Sequence, residues 1–270
     1  MSEVTKRVRV RHFSQAKQAG TKIVGLTSYD FLTAGLFDRA EVDFLLVGDS
    51  AGNVVFGYDT TVPTTTDELI PLARGVVRAA TRSLVVADLP FGSYESGPDE
   101  ALHTAVRFMK ESGVHAVKLE GGVRSATQIE RLVQSGIPVM AHIGYTPQSE
   151  HGLGGHVVQG RGKGKASFLA DARAVEAAGA FAVVVEMVPE PLAAEVTEML
   201  SIPTIGIGAG RQTDGQILVW TDLLGVTTER LPRFVRQYAA LGQEMIEAVS
   251  TWRDDVRSGA FPDASNVFDD

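Results

Sequence analysis

The side chains of this sequence best suited to chemistry stand at the ends of short apolar runs. The stretch HAVKLEGG places Lys118 and Glu120 two residues apart, just before a pair of glycines. Residues two apart on a β-strand point to the same face, so a cation and an anion would face one space. Other runs end the same way. DFLLVGDS closes on Asp49 and Ser50, SLVVADLP reaches Asp88, PVMAHIG carries His142 and FAVVVEMVP reaches Glu186.

Asp49, Asp88 and Glu120 come from consecutive runs, and three crowded carboxylates repel unless a cation or shared protons neutralise them. Hard oxygen donors in a chain without cysteine suit Mg²⁺ or Mn²⁺ rather than zinc. For Glu120 the reading stays divided between direct ligation and contact through water. Lys118 offers a fixed positive charge for a substrate carboxylate or a developing enolate oxygen. Glu186 follows the apolar FAVVV, a setting that raises a carboxyl pKa and suits a general base. Each residue also has a plainer reading: a Lys118–Glu120 ion pair, a pairing with Lys118 or a helix cap for Asp49 or Asp88, a loop partner for Glu186. His142 is a candidate near the site beside its reading as a core histidine, and Tyr29, in KIVGLTSYD, is a second neighbour.

What could bring these ends together is a parallel barrel. Eight apolar runs recur: KIVGLTSYD, DFLLVGDS, SLVVADLP, HAVKLEGG, PVMAHIG, FAVVVEMVP, PTIGIGAG and QILVWTD. Most are nearly continuous Val, Ile, Leu and Ala, as in strands buried on both faces. Helix-like stretches lie between them: TTTDELIPLARGVVRAA, PDEALHTAVRFMKESG, SATQIERLVQSG, KASFLADARAVEAAG and PEPLAAEVTEML. Thr66 reads as an N-cap before Asp67 and Glu68, and Gly113, Gly136 and Gly179 read as helix C-terminal glycines. Eight strands alternating with helices predict an α/β (β/α)₈ TIM barrel, whose strand C-termini share the face where active sites lie. A doubly wound open sheet is the rival, but no glycine fingerprint follows the first strand. GAGRQTDG, between the last two strands, leaves no room for a full helix.

The domain reading is one barrel over residues 1–270 with its core at about 20–225. The N-terminal residues read as a strand-like piece followed by a polar helix. C-terminal helices over 230–258 would close the barrel, leaving a loose tail at 261–270. The net charge of −8 and a pI near 5.3 argue against a nucleic-acid partner. No run reaches the roughly 18–20 apolar residues of a membrane span. The absence of cysteine fits a cytoplasmic setting, and MSEVTKRVRV lacks the apolar centre of a secretory signal.

Two glycine-rich stretches invite a nucleotide reading. GLGGHVVQGRGKGKAS matches neither G-x-x-x-x-G-K-[ST] nor G-x-G-x-x-G; it reads as a basic loop, with Arg161, Lys163 and Lys165, folding over the barrel mouth. IGIGAG could offer backbone N–H groups to an anion, or be an ordinary turn.

Taken together, LLVGDS, VVADLPF, AVKLEGG, GYTPQS, VQGRG, EMVP, IGIGAG and TDGQILV closely resemble the ketopantoate hydroxymethyltransferase (3-methyl-2-oxobutanoate hydroxymethyltransferase) family, from about residue 12 to about residue 262. The resemblance implies a barrel enzyme of pantothenate and coenzyme A synthesis that transfers a one-carbon unit from methylenetetrahydrofolate to the oxo-acid. It implies one Mg²⁺ per subunit and a homodecamer. By motif, Asp49, Asp88 and Glu120 would form the metal site, Asp49, Ser50, Asp88 and Lys118 would contact the oxo-acid, and Glu186 would accept the proton. Two stretches depart from the family pattern, TPQSEHGLGG and the tail FPDASNVF, and neither touches those residues. Two rival functions differ in kind: a folate-independent, Mg²⁺-dependent oxo-acid lyase or mutase, and a catalytically inactive ligand-binding barrel.

Overall fold

The computed structural model describes residues 6–227 and 231–268. The chain divides into two compact units, Met1–Val219 and Trp220–Asp270. In the first, eight strands run β1 (Ile23–Thr27), β2 (Phe44–Val47), β3 (Leu84–Asp88), β4 (Ala116–Glu120), β5 (Val139–Gly144), β6 (Ala182–Glu186), β7 (Thr204–Ile207) and β8 (Gly215–Leu218). Neighbours pair in parallel, and β8 returns to β1 to close the barrel. The open-sheet alternative is thereby excluded. Strands β2, β3 and β4 are buried at every position, which is why their sequences run apolar without alternation.

The barrel is filled, not hollow. Phe44 crosses its interior, and a Cβ on Gly25 would meet that ring at 2.2 Å, so β1 needs glycine there. From below, Phe13 of the helix Val10–Ala19 seals the floor, its ring 5.7 Å from Phe44 and 5.2 Å from Phe181, edge-on to the latter. Residues 6–9 carry no strand. Val8 donates only to Arg82 O, so the N-terminal strand-like piece is corrected over these residues; its first five residues lie outside those described.

Helices fill the connections as expected, with three adjustments. The helix Thr66–Ala79 is capped by Thr65, not Thr66: Thr65 Oγ1 accepts from the Glu68 N–H, and the Glu68 carboxylate accepts from the Thr65 N–H. The helix Pro98–Arg107 continues as a π-turn, Phe108–Ser112, before Gly113 turns left-handed at φ 79°. A helix not expected from sequence, Phe31–Arg39, follows β1 and is capped by Asp30, whose side chain accepts from Leu32 and Thr33. Between β7 and β8 there is none.

The second unit contains the short helix Trp220–Leu223 and one long helix, Leu241–Ser258; residues 231–240 are not helical. The tail holds a single 3₁₀ turn, Ala264–Asn266. No helix among the described residues is long and apolar enough to cross a membrane.

Candidate active site

The strand register places the candidate residues beside one another. Asp88 pairs with Lys118 across β3–β4, Glu120 with His142 across β4–β5, and Gly144 with Glu186 across β5–β6. Asp49 sits in the turn after β2, where its backbone N–H donates to Asp88 Oδ2 at 3.0 Å. Gly48 permits that approach, since a Cβ there would meet Asp88 Oδ2 at 3.3 Å and Ser50 Oγ at 2.8 Å. Lys118 Nζ lies 2.6 Å from Asp88 Oδ1 and 3.3 Å from His142 Nδ1. His142 in turn bridges two carboxylates, with Nδ1 3.3 Å from Glu120 Oε1 and Nε2 3.2 Å from Glu186 Oε2. Ser50 Oγ and Tyr29 OH are 2.8 Å apart. Every residue singled out at a strand end therefore enters one connected cluster, His142 and Tyr29 included.

Glu186 is held from both sides. Gly144, at φ 97°, lets β5 pass so close that a Cβ would lie 2.3 Å from Glu186 O. Met187, next in sequence, adopts a positive φ of 47°, a conformation unusual for a residue with a side chain. Its backbone is fixed by Ile207 O and the Gln159 N–H. Such local strain persists where surrounding structure over-determines it.

The electrostatics follow from burial. Asp49, Asp88, Lys118, Glu120 and His142 are all at most 4% exposed. Burial raises Asp88 to about 7, with Lys118 opposing and Asp49 adding to the rise. Burial and the Asp49 charge raise Glu120 to about 8 despite Lys118. For Lys118 burial acts downward, but Asp88, Asp49 and Glu120 together leave it raised and charged. Burial and then Lys118 push His142 down, which favours neutral imidazole. Burial raises Glu186, with His142 opposing, the condition of a carboxylate ready to take a proton.

Among the described residues no three His, Asp or Glu side chains close around a single point as a metal cage. Glu120 is turned toward His142 and the loop after β5, away from a shared centre with Asp49 and Asp88. Yet Asp88 Oδ1 and Glu120 Oε1 are buried and accept no aligned hydrogen bond. Two neighbouring carboxylates with a third behind them fit a cation that takes the rest of its shell from substrate and water, as Mg²⁺ commonly does.

The chain matches the family model for ketopantoate hydroxymethyltransferase over residues 7–264. It is 66% identical over 263 residues to the 3-methyl-2-oxobutanoate hydroxymethyltransferase of Leifsonia xyli subsp. xyli, covering 97% of this chain and 95% of that one. To the enzyme of the same name from Corynebacterium efficiens it is 60% identical, covering 95% and 96%. The chain belongs to the ketopantoate hydroxymethyltransferase family. It is thus a member of a transferase family, and its barrel is shared more widely. A phosphonopyruvate hydrolase superposes with a TM-score of 0.61 at 12% identity, over 95% of this chain and 92% of that one. A 2,3-dimethylmalate lyase gives 0.60 at 19%, over 96% and 91%. At such identities the likeness is one of fold.

Two residues of the cluster carry no signal in strand-end spacing. Gln148, in the 3₁₀ turn Pro147–Ser149, and Tyr94, on the loop after β3, are neutral and buried beside the carboxylates. TPQS belongs to the family resemblance, but nothing in its sequence says that the glutamine points inward. The basic loop is partly neutralised, because Lys165 Nζ lies 2.6 Å from Glu195 Oε2, while Arg161 and Lys163 form no ion pair among the described residues. IGIGAG ends β7 without a helix N-terminus behind it, so the anion-site reading gains no support.

Proposed function

We propose that this chain transfers a hydroxymethyl group from methylenetetrahydrofolate to 3-methyl-2-oxobutanoate, giving 2-dehydropantoate (ketopantoate) and tetrahydrofolate. The observation that carries the reading is the placement of Glu186: a carboxyl raised by burial, 3.2 Å from His142 and on the same barrel face as the Asp49–Asp88–Lys118 group.

The residues divide the work by charge. Lys118, kept cationic by three carboxylates, would draw the substrate carboxylate to the mouth, with Ser50, oriented by Tyr29, beside it. Asp49 and Asp88, with Glu120 behind them through water, would hold one Mg²⁺, which would supply Lewis-acid polarisation of the ketone oxygen. Glu186 then takes the proton from the carbon next to the ketone, with neutral His142 beside it, Nε2 3.2 Å from its carboxylate. The carbanion equivalent forms the new carbon–carbon bond to the folate's methylene carbon. The carbon–nitrogen bonds of that carbon are cleaved, with water supplying the hydroxyl.

The same reading places the enzyme in the cytoplasm, in pantothenate and coenzyme A synthesis, as one barrel domain with its C-terminal helix per subunit of a homodecamer. The assembly is supported by the helix Leu241–Ser258, which buries none of its residues while Met245, Val249, Trp252 and Val256 expose an apolar stripe at heptad spacing. A second copy of the chain would cover such a face. The test of the reaction is product formation followed by mass spectrometry, with folate and Mg²⁺ each omitted in turn. Product that requires both supports the proposal. Carbon–carbon cleavage or rearrangement of the oxo-acid without folate would replace it with a lyase or mutase.

A further inference from the structure

Gln148 has no part in the chemistry described above, yet it touches three of the strand ends that build the site. Its side chain is 4% exposed. Nε2 donates to Asp49 Oδ2 at 2.9 Å and to Leu89 O at 3.0 Å, and Leu89 directly follows Asp88. Its backbone N–H donates to Glu120 Oε2 at 3.1 Å. Oε1 accepts from the Tyr94 hydroxyl at 2.6 Å. The Tyr94 oxygen in turn accepts from the Glu120 N–H at 3.3 Å, leaving the phenol proton for Gln148.

Chemistry sets the amide's orientation. The Asp49 carboxylate and the Leu89 carbonyl accept hydrogen bonds, so the NH₂ group belongs between them and Oε1 belongs to the phenol. One oxygen of Glu120 is occupied by the Gln148 backbone N–H, while Glu120 Oε1 stays buried without a hydrogen-bond donor. A neutral amide holds Asp49 without cancelling its charge, which a lysine or arginine in its place would do.

We propose that Gln148, oriented by Tyr94, is a positioning residue that fixes which carboxylate oxygens of Asp49 and Glu120 face the cation-binding space. This rests on the reading of that space given under the proposed function. Partners behind metal ligands of this kind are typically worth about 10–100-fold in metal affinity. Gln148→Met keeps length and shape but removes every side-chain hydrogen bond, and Tyr94→Phe removes only the hydroxyl.

The test is titration of Mn²⁺ into full-length wild type, Gln148→Met and Tyr94→Phe, following free Mn²⁺ by electron paramagnetic resonance, with a thermal melt of each. The expected result is a Kd raised at least about tenfold in Gln148→Met and about threefold in Tyr94→Phe. In turnover the apparent KM for Mg²⁺ should rise while kcat at saturating Mg²⁺ is largely kept, a split that general loosening of the fold would not give. Folded variants that bind Mn²⁺ as wild type does overturn the inference; if Gln148→Met does not fold, Tyr94→Phe decides it by the same measure. Weakened Mn²⁺ binding in the variants of a protein that makes no folate-dependent product would refute the transfer reaction and leave this positioning role standing. Wild type that makes product, with variants of unchanged affinity, would refute the positioning role alone. Wild type that binds no Mn²⁺ even with the oxo-acid present overturns the positioning role.

Discussion

Asp38 and Asp88 are both buried carboxylates, 7% and 1% exposed, packed against opposite ends of one barrel. Asp38 lies below β3, where its two oxygens accept from the backbone N–H groups of Thr81, Arg82 and Ser83 and from the Thr81 hydroxyl. Burial alone would raise its pKa, but those hydrogen bonds bring it down to about 2. Asp88, at the top of the same strand, has one backbone donor and Lys118, and burial wins, leaving it near 7. The lower end repeats the satisfied pattern: Asp214 accepts from Lys17 and Thr204, and Asp43 pairs with Arg82. The upper end gives Asp88 Oδ1 and Glu120 Oε1 no backbone donor, leaving them only the side chains of Lys118 and His142 nearby. Identical side chains thus stay ionised where backbone donors converge on them, and are raised toward neutrality where burial is not offset by such donors.

Substitutions should divide along the same line. The largest effect belongs to the mouth. Glu186→Gln should lower turnover by about 10³-fold, equivalent to about 4 kcal/mol, through loss of the general base. Its melting temperature should not fall, since removing a carboxyl that burial disfavours costs the fold nothing; kinetics and calorimetry on one preparation check both. A variant that lost stability instead would make Glu186 a structural residue and erase the contrast.

Below the barrel the pattern reverses. Asp38→Asn should cost about 2 kcal/mol of stability in urea denaturation, with activity per folded molecule unchanged. The sign of the pH dependence follows from the depressed pKa. Asp38's contribution is complete above the ordinary carboxyl range and disappears as pH falls toward about 2. Denaturation curves of wild type and variant should therefore converge at low pH and separate toward neutrality. Lys17→Met, which breaks a 2.8 Å pair with the half-buried Asp214, should cost about 1 kcal/mol and leave kinetics alone.

The smallest effect is expected at the exposed rim of the mouth. Neutralising Arg161 and Lys163 should raise the KM for the folate, with its acidic tail, about two- to threefold at low salt and not at all at high salt. An unchanged KM at low salt would remove this loop from folate binding.

How much of this could be read from the chain depends on which forces set each element. Strands buried at every position, as β2 to β4 are, leave continuous Val/Ile/Leu/Ala runs, and so the strands and the charged residues that end them are legible in the sequence. The Thr65 cap was misplaced by one residue because two threonines adjoin; the spacing to Glu68, three residues on from Thr65, is what decides it. The helix Phe31–Arg39 was missed although Asp30 announces it, since Thr33 and Gly35 are weak helix formers and its stability comes from packing. Gln148 and Tyr94 left no trace because a neutral side chain on a loop has neither period nor charge pattern. The sequence marks the loop as basic through Arg161, Lys163 and Lys165, but a charge count does not show that Lys165 pairs with Glu195, a helix away in sequence.

The central claim is that Glu186 is a base at a site built to stabilise an enolate. The most direct test is deuterium exchange at the carbon next to the ketone of 3-methyl-2-oxobutanoate, followed by proton NMR in D₂O with Mg²⁺, without folate and again with a folate analogue bound. Wild type should exchange that hydrogen in a metal-dependent way, and Glu186→Gln should not. No exchange by wild type under either condition, or equal exchange by the variant, would contradict the account.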